Sequence, residues 1–191
     1  VEDFLQAFRR SETLVLVDPA MADDGKLYAT YTPEMAEGTR RLCVGADLIV
    51  PNTTEAAMLL GETWCEGPYT RAWVEKILHR LAALGPRMVV LTGVWFAPPL
   101  LGAASLDSAT GEISYAFAPK TPGSYPGTGD LLASTLLGAL LDGRTLKSAL
   151  QVAVDFTAAA IRRTHEAGTD PRGGVQFERC LPQLVHDLGL T

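Results

Sequence analysis

Thr13-Leu14-Val15-Leu16-Val17-Asp18-Pro19 is an unbroken apolar run that stops abruptly on a carboxylate and a proline. A strand covered on both faces reads this way, because no polar residue is needed until the chain leaves the sheet. The same design returns twice. Asp47-Leu48-Ile49-Val50 runs into Pro51-Asn52, and Arg87-Met88-Val89-Val90-Leu91 runs into Thr92-Gly93. Helical stretches separate these runs. Thr32-Pro33-Glu34 opens one that reaches about Val44, with Thr32 as N-cap and Pro33 at the first helical position. Thr53 to Leu60 is a short one stopped by Gly61. From Thr70 to Leu84 the apolar residues Trp73, Val74, Ile77, Leu78, Leu81 and Leu84 recur at spacings of three and four, and Gly85-Pro86 ends the pattern.

The period changes downstream. Leu101–Leu106 and Glu112–Phe117, joined around Ala109-Thr110-Gly111, predict an antiparallel hairpin. A loop rich in Pro and Gly covers Pro119 to Gly129. Two helices follow, Asp130–Leu141 and Leu146–Arg163, and a last one runs from about Phe177 to Leu188. The expected fold is α/β, a mostly parallel sheet flanked by helices on both faces, with a late antiparallel hairpin. No repeat or linker divides the chain, so residues 1–191 are expected to form a single domain.

With 191 residues, 47% hydrophobic and 20% charged, the chain can bury a core, which excludes a disordered tail. Sixteen Lys and Arg stand against 22 Asp and Glu, a net charge of −6. That balance excludes a general nucleic-acid binder, which needs a basic face. Cys43, Cys65 and Cys180 form no CxxC pair and are odd in number, which points to a reducing compartment, the cytoplasm. His79, His165 and His186 are isolated, so no zinc spacing exists. The apolar stretch Leu131–Leu141 is too short to span a membrane, and no membrane partner is expected.

In open α/β sheets, ligands bind outside the carboxyl ends of the strands. The three runs end at Asp18, Asn52 and Thr92-Gly93, and a fourth candidate is Gly127-Thr128-Gly129-Asp130, where a loop becomes a helix. Two glycines let that backbone turn sharply, and the helix start offers unpaired N–H groups suited to phosphate. Asp130, in the first turn, is placed to accept a proton from a substrate hydroxyl. An ordinary helix start with an acidic first turn has the same pattern, and the Walker A spacing is absent. Asp18, Asp23 and Asp24 put carboxylates after the first strand, suited to Mg²⁺ or equally to a solvated turn at Asp24-Gly25. Asn52 and Glu55 fit a capping box, and Glu55 also suits a metal–phosphate centre. Thr92-Gly93 suits phosphate contact. Tyr125 suits packing on a purine or in the core.

These elements, in this order, resemble the ribokinase-like superfamily, and within it the vitamin B6 kinases. Val17-Asp18-Pro19-Ala20-Met21-Ala22-Asp23-Asp24-Gly25-Lys26-Leu27-Tyr28 is similar to their acidic-loop motif. Val50-Pro51-Asn52-Thr53-Thr54-Glu55 is similar to their TPNxxE motif, and Thr92-Gly93 and Gly127-Thr128-Gly129-Asp130 complete the set. The resemblance implies ATP-dependent phosphorylation of the 5′-hydroxymethyl group of pyridoxal, pyridoxine or pyridoxamine. It implies Asp130 as the base, and Gly127, Thr128 and Gly129 as an anion hole. It places Asp18, Asp23 and Glu55 at the Mg²⁺–phosphate centre with Asn52 beside them. Thr92 and Gly93 would meet the nucleotide phosphates, and Thr121 and Tyr125 the adenine. Ala22 stands where the family usually has Gly. The resemblance also raises K⁺ as a further cofactor, but Val50 stands where many members have Thr, which removes a hydroxyl that serves the monovalent cation and leaves that requirement open. A homodimer is implied. So is a preceding N-terminal segment with the first strands and most vitamer contacts, which would leave this chain an incomplete domain. Two other functions fit the same motifs: a hydroxymethylpyrimidine kinase of thiamine synthesis, and a non-catalytic nucleotide-binding fragment.

Overall fold

The computed structural model describes residues 1–190; Thr191, the last residue of the expected domain, lies outside them. The elements are α1 (Glu2–Phe8), β1 (Leu16–Val17), β2 (Ala22–Asp23), β3 (Lys26–Leu27), α2 (Pro33–Val44), β4 (Leu48–Ile49) and α3 (Thr53–Leu59). Then come α4 (Arg71–Ala82), β5 (Met88–Val94), β6 (Leu100–Asp107), β7 (Glu112–Pro119), α5 (Thr128–Leu141), α6 (Leu146–Ala167) and α7 (Leu181–Asp187). One five-stranded sheet has the order β1-β4-β5-β6-β7. β1, β4 and β5 run parallel, and β6 and β7 are antiparallel to their neighbours. The late hairpin therefore extends the same sheet and makes it mixed.

Alternation along the strands gives each face its own core. Ile49, Val89 and Leu91 pack toward α2, α3 and α4, with Cys43, Leu59, Val74 and Leu78. Leu48, Val50 and Val90 point the other way, onto Leu136 of α5 and Leu150 and Ala153 of α6. Leu48 to Val50 and Val89 to Leu91 are thus buried on one side or the other, which is why these runs carry no polar alternation.

Threonine caps the starts of α2 and α4, Thr32 as expected and Thr70 in addition. The Thr32 hydroxyl accepts from the Met35 N–H at 3.3 Å, and the Thr70 hydroxyl from the Trp73 N–H at 3.2 Å. Several bounds differ from the expectation for local reasons. β1 is shorter than 13–17 because the Val15 N–H turns to the Asp47 carboxylate at 2.8 Å. The last helix is split: a 3₁₀ turn at Glu178–Cys180 precedes α7, since Pro182 is tolerated only in a helix's first turn. α6 runs on to Ala167, where Gly168 closes it with φ 62°. Two features went unanticipated, helix α1 and the small β2–β3 hairpin. In the latter, Asp24 and Gly25 have φ of 47° and 76°, the positive values that a type I′ turn requires.

Candidate active site

The strand ends converge. An isolated parallel bridge links Asn52 to Thr92, and the Thr92 N–H donates to the Pro51 carbonyl at 2.9 Å, so the carboxyl ends of β4 and β5 lie side by side. The loop after β1 folds over them. The Asn52 amide donates to the Ala22 carbonyl at 2.8 Å, and the Gly25 N–H to the Thr54 hydroxyl at 3.1 Å. Across the gap stands the start of α5. Gly127 is its N-cap at φ 82°, a conformation that glycine adopts without strain. A Cβ on Gly129 would lie 3.9 Å from Asp18 Oδ2, so the Asp18 carboxylate rests against the Gly127-Thr128-Gly129 turn.

Between these walls lies a cavity of about 610 Å³. It is lined by Asp18, Asp23, Asn52, Glu55, Thr92, Gly93, Thr121, Tyr125, Gly127, Thr128, Gly129 and Asp130, whereas Asp24 of the acidic loop does not line it. Tyr28, Lys120 and a stripe of α6, namely Val154, Thr157, Ala158 and Ile161, line it as well and were not singled out. The stripe was open to inspection, since residues at 154, 157, 158 and 161 share one helical face. Tyr125 is held onto its own loop: its hydroxyl lies 2.8 Å from the Pro122 carbonyl and 2.9 Å from His165 Nδ1.

Glu55 is 2% exposed, and both readings of it meet the same geometry. The capping box is complete: the Glu55 N–H donates to the Asn52 side chain, and Glu55 Oε2 accepts from the Asn52 N–H, each at 2.9 Å. Oε1 accepts from the Met21 N–H at 2.9 Å and, more distantly, from the Ala22 N–H at 3.4 Å. Burial pushes this carboxyl up to about 7, against the pull of those N–H donors. The expected metal set of Asp18, Asp23 and Glu55 does not draw together as one ligand group. Among the described residues, no three His, Cys, Asp or Glu side chains cluster closely enough to hold an ion. The physical reason lies in Glu55, whose oxygens are turned to backbone donors and brace the acidic loop.

The remaining carboxylates fit a metal brought in with phosphate. Mg²⁺ typically takes one or two protein carboxylates and completes its shell with water and substrate phosphates. Asp18 and Asp23 both line the cavity. Burial pushes the Asp18 carboxyl above its ordinary range, the Asp130 charge adds to this, and the Ala20 N–H opposes it. Tyr28 is raised too, first by burial and then by the carboxylates of Asp23, Glu55, Asp18 and Asp130. The cavity is therefore strongly negative on this side, a field that an arriving cation would relieve. Cys43 and Cys180 are buried free thiols and Cys65 an exposed one, all outside this cavity. No helix among the described residues is long and apolar enough to cross a membrane.

The family model for phosphomethylpyrimidine kinases matches residues 1–175. A pyridoxal kinase of Arabidopsis thaliana is 34% identical over 166 residues, which is 81% of this chain and 51% of that protein. A pyridoxal kinase of Deinococcus radiodurans is 28% identical over 83% of this chain and 54% of its own length. The chain thus spans about half the length of the curated relatives it matches. Among solved structures, a phosphomethylpyrimidine kinase homologue from Bacteroides thetaiotaomicron, crystallised with pyridoxal, superposes with a TM-score of 0.88. It is 32% identical, with 98% of this chain and 64% of that one covered. Pyridoxal kinase from Lactobacillus plantarum gives 0.80 at 35% identity, over 91% of this chain and 62% of that one. A match over that much of the chain makes this protein a member of the phosphomethylpyrimidine kinase family, of ribokinase-like fold.

Proposed function

We propose that the full-length protein carrying this chain transfers the γ-phosphoryl group of ATP to the hydroxymethyl group of a small heteroaromatic ring. The observation that carries this reading is the Asp18 carboxylate lying against the turn that leads into Asp130 and helix α5. The turn supplies N–H donors for an anion, and Asp130 stands within the helix's first turn as proton acceptor. In the step itself, the substrate oxygen bonds to the γ-phosphorus as the bond from that phosphorus to the β–γ bridging oxygen breaks. Asp130 takes the hydroxyl proton, and ADP leaves with the bridging oxygen. Gly127, Thr128 and Gly129 hold the transferring group, while Thr92 and Gly93 meet the nucleotide phosphates at the end of β5. Asn52 and Glu55 keep the acidic loop in place. Bound Mg²⁺, held by Asp18 and Asp23 together with phosphate oxygens, would offset the charge on the phosphates. Val50 offers no hydroxyl to a K⁺ ion, so the reaction is proposed to need none.

The acceptor we propose is a hydroxymethylpyrimidine, on the strength of the family model that matches residues 1–175. A B6 vitamer is the second reading. It is favoured by relatives named as pyridoxal kinases and by the homologous structure that holds pyridoxal. We take the chain as one ribokinase-like domain whose acceptor-binding residues lie partly outside it, and the assembly as a homodimer. The test is transfer of labelled γ-phosphate by the full-length protein to a panel of hydroxymethylpyrimidine, pyridoxal, pyridoxine and pyridoxamine. Label on the pyrimidine alone supports the first reading, and label on the vitamers alone the second. Tight ATP binding with no transfer to any acceptor would make this a nucleotide-binding protein and end the kinase reading.

A further inference from the structure

The loop that leads into the Gly127-Thr128-Gly129 turn has little of its own to hold it. From Thr121 to Pro126 no main-chain group bonds to another main-chain group, among the described residues. The hydrogen bonds this segment does make all belong to Tyr125. Its carbonyl accepts the Thr128 hydroxyl at 3.0 Å, and its hydroxyl donates to the Pro122 carbonyl at 2.8 Å. The same hydroxyl meets His165 Nδ1 at 2.9 Å. The loop also wraps the ring closely: a Cβ on Gly123 would come 3.1 Å from the Tyr125 hydroxyl oxygen. The contact with His165 is the hydrogen bond that ties the segment to an element other than the adjoining start of α5. His165 stands in the last turn of α6 and continues the face of Val154, Ala158 and Ile161. It does not itself line the cavity, whereas Gly123 to Asp130 do.

The bonding pattern assigns the proton. A carbonyl oxygen only accepts, and a tyrosine hydroxyl has one hydrogen to give. With that hydrogen given to Pro122, the hydroxyl can only accept from His165, so Nδ1 must be the nitrogen that bears a hydrogen. In neutral imidazole either nitrogen can bear it, and the partner decides which. We propose that His165 is a positioning residue for phosphoryl transfer. Its Nδ1–H holds the Tyr125 hydroxyl, and through Tyr125 and Thr128 it seats the Gly127-Thr128-Gly129 turn. The inference rests on the reading of this cavity as a kinase site, in which that turn holds the transferring group. Hydrogen bonds from the turn strengthen as charge develops on the phosphoryl oxygens, so a loosened seat is felt in the chemical step more than in ground-state binding.

Two measurements on the full-length protein test this. Nitrogen NMR at pH 8 reports which ring nitrogen of neutral His165 bears the hydrogen. The parent is expected to carry it on Nδ1, and Tyr125→Phe, which lacks the hydroxyl, to lose that preference. The second measurement is transfer of γ-phosphate to the best acceptor of the panel. His165→Ala is expected to lower kcat about three- to tenfold, the net worth of one hydrogen bond, with KM for Mg²⁺-ATP unchanged. Its melting temperature should stay that of the parent, since the side chain is exposed. His165→Asn, whose amide N–H replaces the Nδ1 donor, is expected to keep most of the parent's kcat. In a Tyr125→Phe background, His165→Ala should have no further effect. A hydrogen on Nε2 in the parent would overturn the proposal. So would an undiminished kcat in His165→Ala, an equal loss in His165→Ala and His165→Asn, or the same loss with and without the Tyr125 hydroxyl. A parent that shows the Nδ1 hydrogen but transfers phosphate to no acceptor would overturn the kinase reading and the role in turnover together, and would leave the His165–Tyr125 pair as structure alone.

Discussion

Glu55 Oε1 accepts the Met21 N–H at 2.9 Å across 34 positions of sequence, and so fastens the loop after β1 to the start of α3. The same carboxylate closes the capping box on Asn52. One buried side chain therefore sets the distance between two walls of the cavity. Glu55→Gln retains a single acceptor oxygen and puts an NH₂ group where the other oxygen met an N–H donor. One backbone donor should be left unmet, at a cost of about 1–3 kcal/mol. Urea unfolding at pH 8 measures this. A variant as stable as the parent there would show that the brace carries no weight.

The same carboxyl gives a pH dependence whose sign is set by its environment. It titrates near 7 in the folded protein, against 4.5 as an ordinary carboxyl. Between those values the folded state holds more protons than the unfolded one, so stability falls as pH rises. The contribution of Glu55 is fully present below about pH 4.5 and is lost as pH passes through about 7. The difference in unfolding free energy between parent and Glu55→Gln, followed from pH 4 to pH 8, should therefore decline across that window. A flat difference would place the carboxyl back in the ordinary range.

Asp130→Asn separates a base from a helix-terminal charge. As general base, its loss should lower kcat of the full-length protein by about 10²–10⁴-fold and leave the ATP dissociation constant unchanged or slightly lower. If Asp130 serves only the helix, kcat stays near normal and the protein loses about 0.3–1 kcal/mol of stability. A second readout comes from Asp18, whose carboxyl is raised in part by the Asp130 charge. Carbon NMR of the Asp18 carboxyl should show its titration move to lower pH in Asp130→Asn.

The two glycines of the turn should respond in opposite ways. Gly127 has φ 82°, so Gly127→Ala is strained although no atom lies within 4 Å of the added methyl. The strain should cost roughly 1–2 kcal/mol. Gly129 is the second residue of α5 and is not among the positive-φ glycines, so alanine meets no backbone strain there. Gly129→Ala should keep or raise the melting temperature. It nonetheless sets a methyl 3.9 Å from Asp18 Oδ2, at the mouth of the proposed anion hole, and phosphoryl transfer should fall. Melting temperature and turnover measured on both variants test the contrast.

What could be read in the sequence depended on whether the signal was local. The strand runs at 47–50 and 87–91 were visible because their apolar residues are buried on both faces of the sheet, the run at 13–17 because it stays apolar although only Val15 is buried at the sheet's edge, and Thr32 because a cap needs only three residues. Helix α1 buries none of its residues and so left no apolar period to find. β2 and β3 are two residues each, below what alternation can signal, and only the Asp24-Gly25 turn marked their position. The candidate site residues were individually legible from their places at strand ends and helix starts. Their partners were not. Nothing near Glu55 announces that its carboxylate accepts the Met21 N–H, and nothing near Thr157 announces that its hydroxyl stays unmatched. Both facts depend on which distant segments the fold brings alongside.

Gly102 lines the cavity from the hairpin side, and there the wall is main chain. A Cβ at this position would overlap the Ala116 carbonyl oxygen and press on Phe117 Cα at 2.8 Å, both backbone atoms of the paired strand β7. No side chain fits at this position without parting the two strands. The two sides of the cavity therefore differ in how far substitution can remodel them: the hairpin is a fixed template at Gly102, whereas the α6 stripe at 154, 157, 158 and 161 is interchangeable side chain. Divergence in ligand choice among proteins built on this frame, whether natural or engineered, should collect on the helix and spare the glycine.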